Sequence, residues 1–79
     1  MSTDYLAIFT EDEKNKEWFQ KNYKKLIQKY DDHYVAIYKQ KIIDFDRNLD
    51  NLLKRIEKKY PKEHVLIEFV ASQRLELIL

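Results

Sequence analysis

Between Glu11 and Tyr30 the apolar residues Phe19, Tyr23, Leu26, Ile27 and Tyr30 recur at i, i+4, i+7, i+8 and i+11. That interval lays one buried stripe along a helix. Trp18 and Asn22 flank the stripe, and Lys14, Lys16, Lys21, Lys24, Lys25 and Lys29 occupy the remaining turns. Thr10 and Glu13 stand at capping-box spacing, where the hydroxyl accepts from the Glu13 amide and the carboxylate reaches back to the Thr10 amide. The pattern predicts one helix from about Glu11 to Tyr30.

After the turn Asp31-Asp32-His33 the period changes to two. Tyr34–Tyr38 and about Lys41–Phe45 read as the strands of a hairpin, joined by two residues at Lys39-Gln40 or by a four-residue loop from Tyr38 to Lys41. In either register Val35, Ile37 and Ile42 share one face, with Asp44 at its end, while Tyr34, Ala36, Tyr38, Ile43 and Phe45 share the other. Lys-Gln is poor chemistry for a primed two-residue turn, so the longer loop is expected. A second helix follows, with Asn48 as its N-cap and Asp50 in its first turn. Leu49, Leu52, Leu53, Ile56 and Tyr60 form its stripe, Lys58 and Lys59 suit its C-terminal end, and Pro61 stops it. Val65–Val70 reads as a third strand. With Glu68 outward, Val65, Ile67 and Phe69 turn toward the helices and Leu66 and Val70 turn away. Short apolar runs, Tyr5–Phe9 and Leu75–Leu79, lie near the two ends.

The expected architecture is an α+β domain with element order α-β-β-α-β. Its small three-stranded, mainly antiparallel sheet has order 2-1-3, with both helices packed on one face. At 79 residues the chain holds one such domain and has no room for a second folded unit. Domains of this size gain stability from disulfides, metals or association. There is no cysteine, which removes disulfides, thiolate metal sites and thiol catalysis, and which fits a reducing cytosol.

Composition narrows the chemistry further. Glycine is absent, so there is no phosphate-cradling loop, and no serine or threonine stands in a nucleophile motif. Asp31-Asp32-His33 and the Glu63-His64 pair are residues that turns favour. A metal needs three or four ligands converging in space, which adjacent turn residues do not supply alone. The expectation is a non-enzymatic protein without metal or cofactor. No apolar run reaches the roughly 18 residues of a membrane span, and Met1-Ser2-Thr3-Asp4 lacks the basic region of a secretion signal. A soluble cytoplasmic protein is expected, and abundant Lys, Glu, Ile and Tyr without Gly or Cys resembles proteins from hot environments.

With both helices on one side, Tyr34, Tyr38, Ile43, Phe45, Leu66 and Val70 make a second sheet face too apolar to leave wet. Either the terminal runs fold over it, or it meets a second copy or another protein. The favoured reading is a homodimer through that face. Leu77 and Leu79 are secondary candidates, since the Leu75–Leu79 tail can also add to a partner as an edge strand. The alternative is a nucleic-acid-associated or antitoxin-like regulator. It would use Lys21, Lys24, Lys25 and Lys29 on the first helix and Lys54, Arg55, Lys58, Lys59 and Lys62 on the second. If those helices lie side by side, their outer surfaces form a basic strip, although a formal net charge of +1 gives no bulk attraction to a polyanion.

Trp18-Phe19, Asn22-Tyr23, Leu26 and Tyr30, then Tyr34-Val35-Ala36-Ile37 and Ile42-Ile43 make up one half of a longer pattern. Leu49, Leu52, Leu53, Ile56 and Val65-Leu66-Ile67 complete it. From Glu17 to Val70 the chain resembles a small family found mainly in archaea and some bacteria, known only as a domain of unknown function. That family usually places Asp-Gly in the hairpin turn and a glycine before the second helix, where this chain has Lys39-Gln40 and Asp46. The resemblance implies the α-β-β-α-β fold and implies no activity.

Overall fold

A computed structural model describes residues 11–72. Thr10 of the expected capping box, the run 5–9 and the tail with Leu77 and Leu79 lie outside the described residues. Two helices, α1 (Glu11–Lys21) and α2 (Tyr23–Tyr30), lead into a hairpin of β1 (His33–Ile37) and β2 (Ile42–Asp46). Helix α3 (Leu49–Lys59), a 3-10 turn (Lys62–His64) and β3 (Leu66–Val70) follow. The sheet order is β2-β1-β3, and β1 pairs antiparallel with both neighbours. The protein is an α+β domain with the expected strand order.

The expected first helix is two helices meeting at Asn22. Hydrogen bonds from the Asn22 amide to the Trp18 carbonyl (3.1 Å) and from the Leu26 amide to the Asn22 carbonyl (3.0 Å) carry the helical ladder through the joint. Asn22 Nδ2 also donates to the Trp18 carbonyl at 2.8 Å. Asn22 itself has φ −104° and ψ 8°, off helical values, which divides the helix there, and a side chain bonding back four residues competes with the helical backbone. Phe19, Tyr23 and Leu26 are buried, with Trp18, Ile27 and Tyr30 packed at their margin, so the stripe continues across the joint. The Phe19 and Tyr23 rings meet edge to face at 5.1 Å and 80°.

The helices do not share a face. Phe19, Tyr23 and Leu26 pack on Val35, Ile37, Leu66 and Val70. Leu52 and Ile56 of α3 pack on Ala36, with Tyr34, Ile43, Val65 and Ile67 around them. Neighbouring side chains of a strand point to opposite sides, so α1–α2 and α3 enclose the sheet between them. The cause lies in β1, where Val35, Ala36 and Ile37 are consecutive and all buried. A central strand apolar on both faces needs a cover on each. The crossover from β2 to β3 puts α3 on one face, and the short turn at Asp31-Asp32 leaves α2 free to take the other. Burying each Leu or Ile side chain of these clusters contributes roughly 1.5–3 kcal/mol.

The two strands are joined by the four residues Tyr38–Lys41, the longer loop expected. Within it Tyr38 N–H donates to the Lys41 carbonyl at 3.0 Å, and φ is 51° at Lys39 and 59° at Gln40. Both turn residues are left-handed, as a primed turn demands, without the usual Asn or Gly. One local reading changes, because a register slip falls inside β2. Ile37 pairs with Ile42 but Ala36 pairs with Asp44, so Ile43 is the extra residue of a bulge. Ile43 packs on the α3 side as expected, but beyond the bulge the faces exchange. Asp44 joins the α3 side, and Phe45, opposite Val35, joins the α2 side.

Candidate functional site

The open sheet face expected from the sequence is absent, because α3 covers it. Leu66 and Val70 are buried beneath α1–α2. Tyr34 and Ile43 pack at the margin of the α3 cluster. Tyr38 is half-buried, its ring 5.3 Å from that of Tyr60. Among the described members of the expected interface set, Phe45 alone is prominent in solvent, 48% exposed, with Tyr30 and His33 ring centroids at 5.0 and 5.8 Å.

What remains open is narrower. Helix α3 lies over β2 and β1 rather than over β3, so the α3-facing side of β3 is only half-covered. The result is a groove of about 220 Å3 lined by Leu53, Ile56, Val65 and Ile67, with the charged residues Glu57 and Lys62 also in its lining. Leu53 is 36% exposed although it belongs to the apolar stripe of α3. The Tyr34–Phe69 ring pair, at 4.8 Å, lies on the same sheet face. Leu53, Val65 and Ile67 were legible as apolar positions. Their shared exposure was not, because it depends on how far α3 reaches across the sheet.

The other margin of α3 is closed by charge. Arg55 Nε and Nη2 donate to the two Asp44 carboxylate oxygens at 2.9 and 3.1 Å, and Nη1 donates to Asp46 at 2.9 Å. Nη2 also donates to the Phe45 carbonyl at 3.1 Å, while the Phe45 amide donates to Asp44 at 2.8 Å. Both backbone groups of Phe45 are thus taken by side chains, which blunts the β2 edge against another strand. The Arg55 hydrogen bond holds the Asp44 carboxyl below its ordinary value. The Asn48 amide, and then Arg55, do the same for Asp46. Arg55 is raised by both carboxylates. Arg55, expected to face nucleic acid, is instead committed to β2.

The remaining helix lysines do not gather. Lys24 and Lys25 lie on α2 and Lys54, Lys58 and Lys59 on α3, across the sheet from one another, so the conditional basic strip is not formed. Lys21 pairs with Glu17 at 3.4 Å. The Asp31-Asp32-His33 turn has a structural occupation. Asp31 accepts from the Ser72 amide at 2.9 Å, Asp32 N–H donates to the Val70 carbonyl at 2.7 Å, and His33 Nδ1 lies 2.9 Å from the Asp31 carbonyl. Among the described residues no three His, Asp or Glu side chains group as a metal site, and no helix is long and apolar enough to cross a membrane.

Sequence reading missed Asn15, whose side chain joins three segments. It is fully buried in a helical run of charged residues. Its Oδ1 accepts from the Gln40 amide and Nε2, both at 2.9 Å, and its Nδ2 donates to the Ile37 and His64 carbonyls at 3.3 Å. One amide ties α1, the hairpin turn and the entrance to β3 together.

With the geometry in place, comparison with known proteins adds the family. Residues 25–73, more than half of the chain, match the "Family of unknown function (DUF5678)", and the protein belongs to that family. The matched span runs from α2 through β3 and begins beyond Trp18, Phe19, Asn22 and Tyr23. No curated protein and no solved structure matches the chain.

Proposed function

We propose that the protein is a non-enzymatic interaction module that pairs with a second copy of itself through the α3–β3 groove. The observation that carries this reading is the groove's lining, four aliphatic side chains flanked by one acid and one base. A two-fold interface must be self-complementary, each patch meeting its own image. Glu57 and Lys62, an acid and a base in the same lining, meet that requirement when the two-fold sets the acid of one copy against the base of the other. Leu53 of each copy supplies an apolar knob for the partner's groove. The buried patch supplies affinity and the rim charges set the register. The sheet-face dimer expected from sequence thereby contracts to the part of that face that α3 leaves uncovered.

Sedimentation velocity across a concentration series tests the proposal. A dimer whose population rises with concentration is expected, and Leu53→Glu, a substitution at an exposed position, should return it to monomer while leaving far-UV helicity unchanged. A wild-type monomer at every concentration would end the reading.

A further inference from the structure

The near-zero net charge conceals a separation of charge along the sheet, and its basic end is occupied by neither the core nor the α3–β3 groove. The β1–β2 turn and the C-terminal end of α3 meet there. Tyr38, at the close of β1, and Tyr60, just past α3, hold their rings 5.3 Å apart. The residues that flank the pair in sequence, Lys39, Lys41, Lys58 and Lys59, are all exposed. Among the described residues none of the four forms an ion pair, whereas Lys16, Lys21 and Arg55 are committed to carboxylates. Lys39 instead places its ammonium 5.4 Å from the Tyr38 ring centroid. The acids Asp31, Asp32, Asp46 and Asp50 fall at the opposite end, before β1, at the close of β2 and at the start of α3.

In sequence, Lys39-Gln40-Lys41 and Lys58-Lys59-Tyr60 are two short basic runs separated by β2 and most of α3. The fold makes them one surface with an aromatic pair inside it. Glu57 and Glu63 are the neighbouring acids in sequence; Glu57 belongs to the lining of the groove, as Lys62 does. Helix α1 also reaches the turn, where Glu17, Lys14 and Lys21 line a shallow hollow with Gln40; Glu17 there is paired with Lys21, and Asp12 with Lys16.

We infer that this hairpin end is a contact surface for single-stranded nucleic acid, with the four lysines following phosphates and the Tyr38–Tyr60 pair receiving a base. Exposed lysines without an ion pair, of which only Lys59 acts on a carboxylate, Asp44, lie with half-exposed aromatic rings, the composition that single-strand binders use. A flexible strand can place its bases against the tyrosines while its phosphates reach both lysine runs. A duplex keeps its bases stacked inside and would leave the rings idle. The surface shares no residue with the groove, so the two proposals succeed or fail independently.

Fluorescence anisotropy of a labelled oligothymidylate, titrated with the full chain at several salt concentrations, is the test. Binding at low salt is expected near the micromolar range, with log K falling against log salt at a slope of roughly −3, about 0.7 per phosphate for four contacts. The Lys39→Glu/Lys41→Glu variant should lose at least about tenfold in affinity, and Lys24→Glu/Lys25→Glu, on the other side of the sheet, should keep it. Circular dichroism confirms that each variant is folded. No binding at low salt overturns the inference, as does an α2 variant that loses as much as the hairpin variant. A duplex that binds more tightly than the single strand overturns it too.

Discussion

Asn15 holds Gln40 by two hydrogen bonds of 2.9 Å, one to its backbone amide and one to its side-chain amide. This is the contact that lets Lys39-Gln40 make a primed turn without glycine. The positive φ of Gln40 orients its N–H inward, and a fully buried acceptor waits there. Replacing Asn15 with Ala strips partners from Gln40 and from two carbonyls at once. Leaving buried polar groups unsatisfied costs about 1–3 kcal/mol for each affected group, with partial relaxation by water. The expected loss for Asn15→Ala is about 3 kcal/mol in urea unfolding. A loss below roughly 1 kcal/mol would show that the amide is not the hub described.

The same turn gives a prediction of opposite sign. A side chain held in the left-handed region costs roughly 1–2 kcal/mol, which glycine does not incur, against some added entropy of the unfolded chain. Lys39→Gly should therefore stabilise the protein by about 0.5–1 kcal/mol. Lys39→Val, β-branched and intolerant of positive φ, should destabilise it. Equal thermal midpoints for both variants would contradict the left-handed conformation.

Much of this could be read from sequence, and the exceptions have physical causes. Asn48 caps α3 as expected, accepting from the Asn51 amide at 2.9 Å. The stripe of Phe19, Tyr23 and Leu26 is buried as its spacing implied. Asn15 escaped notice because a buried Asn inside Glu-Asp-Glu-Lys-Asn-Lys-Glu looks like any solvated helix position until its distant partners are known. The bulge at Ile43 escaped because Ile42-Ile43 offers an apolar residue to either face, so alternation cannot count the extra residue. Placement of the helices was misread for a related reason. β1 and β3 are apolar on both sides, a pattern that demands two covers without saying which element supplies each. The groove depends on that placement and could not be seen before it.

The Arg55 clamp predicts a pH dependence. Asp44 and Asp46 titrate in the folded protein below the ordinary value of 3.8. The unfolded chain therefore takes up these protons at a higher pH than the folded one does. The stability they contribute is present above about pH 4 and is lost as pH falls through the folded values. Wild-type protein should lose thermal stability from about pH 4 downward. Arg55→Met should be less stable at neutral pH and should vary less across that window. Parallel curves for the two proteins would remove the clamp as a source of acid sensitivity.

Pairing through the α3–β3 groove is tested most directly by a charge exchange across its rim. Glu57→Lys and Lys62→Glu should each weaken the dimer, since each sets like charges face to face across the two-fold. The double variant restores opposite charges with their places exchanged and should recover the wild-type dissociation constant by sedimentation equilibrium. Single variants that dimerise as wild type does, or a double variant no better than either, would contradict the account.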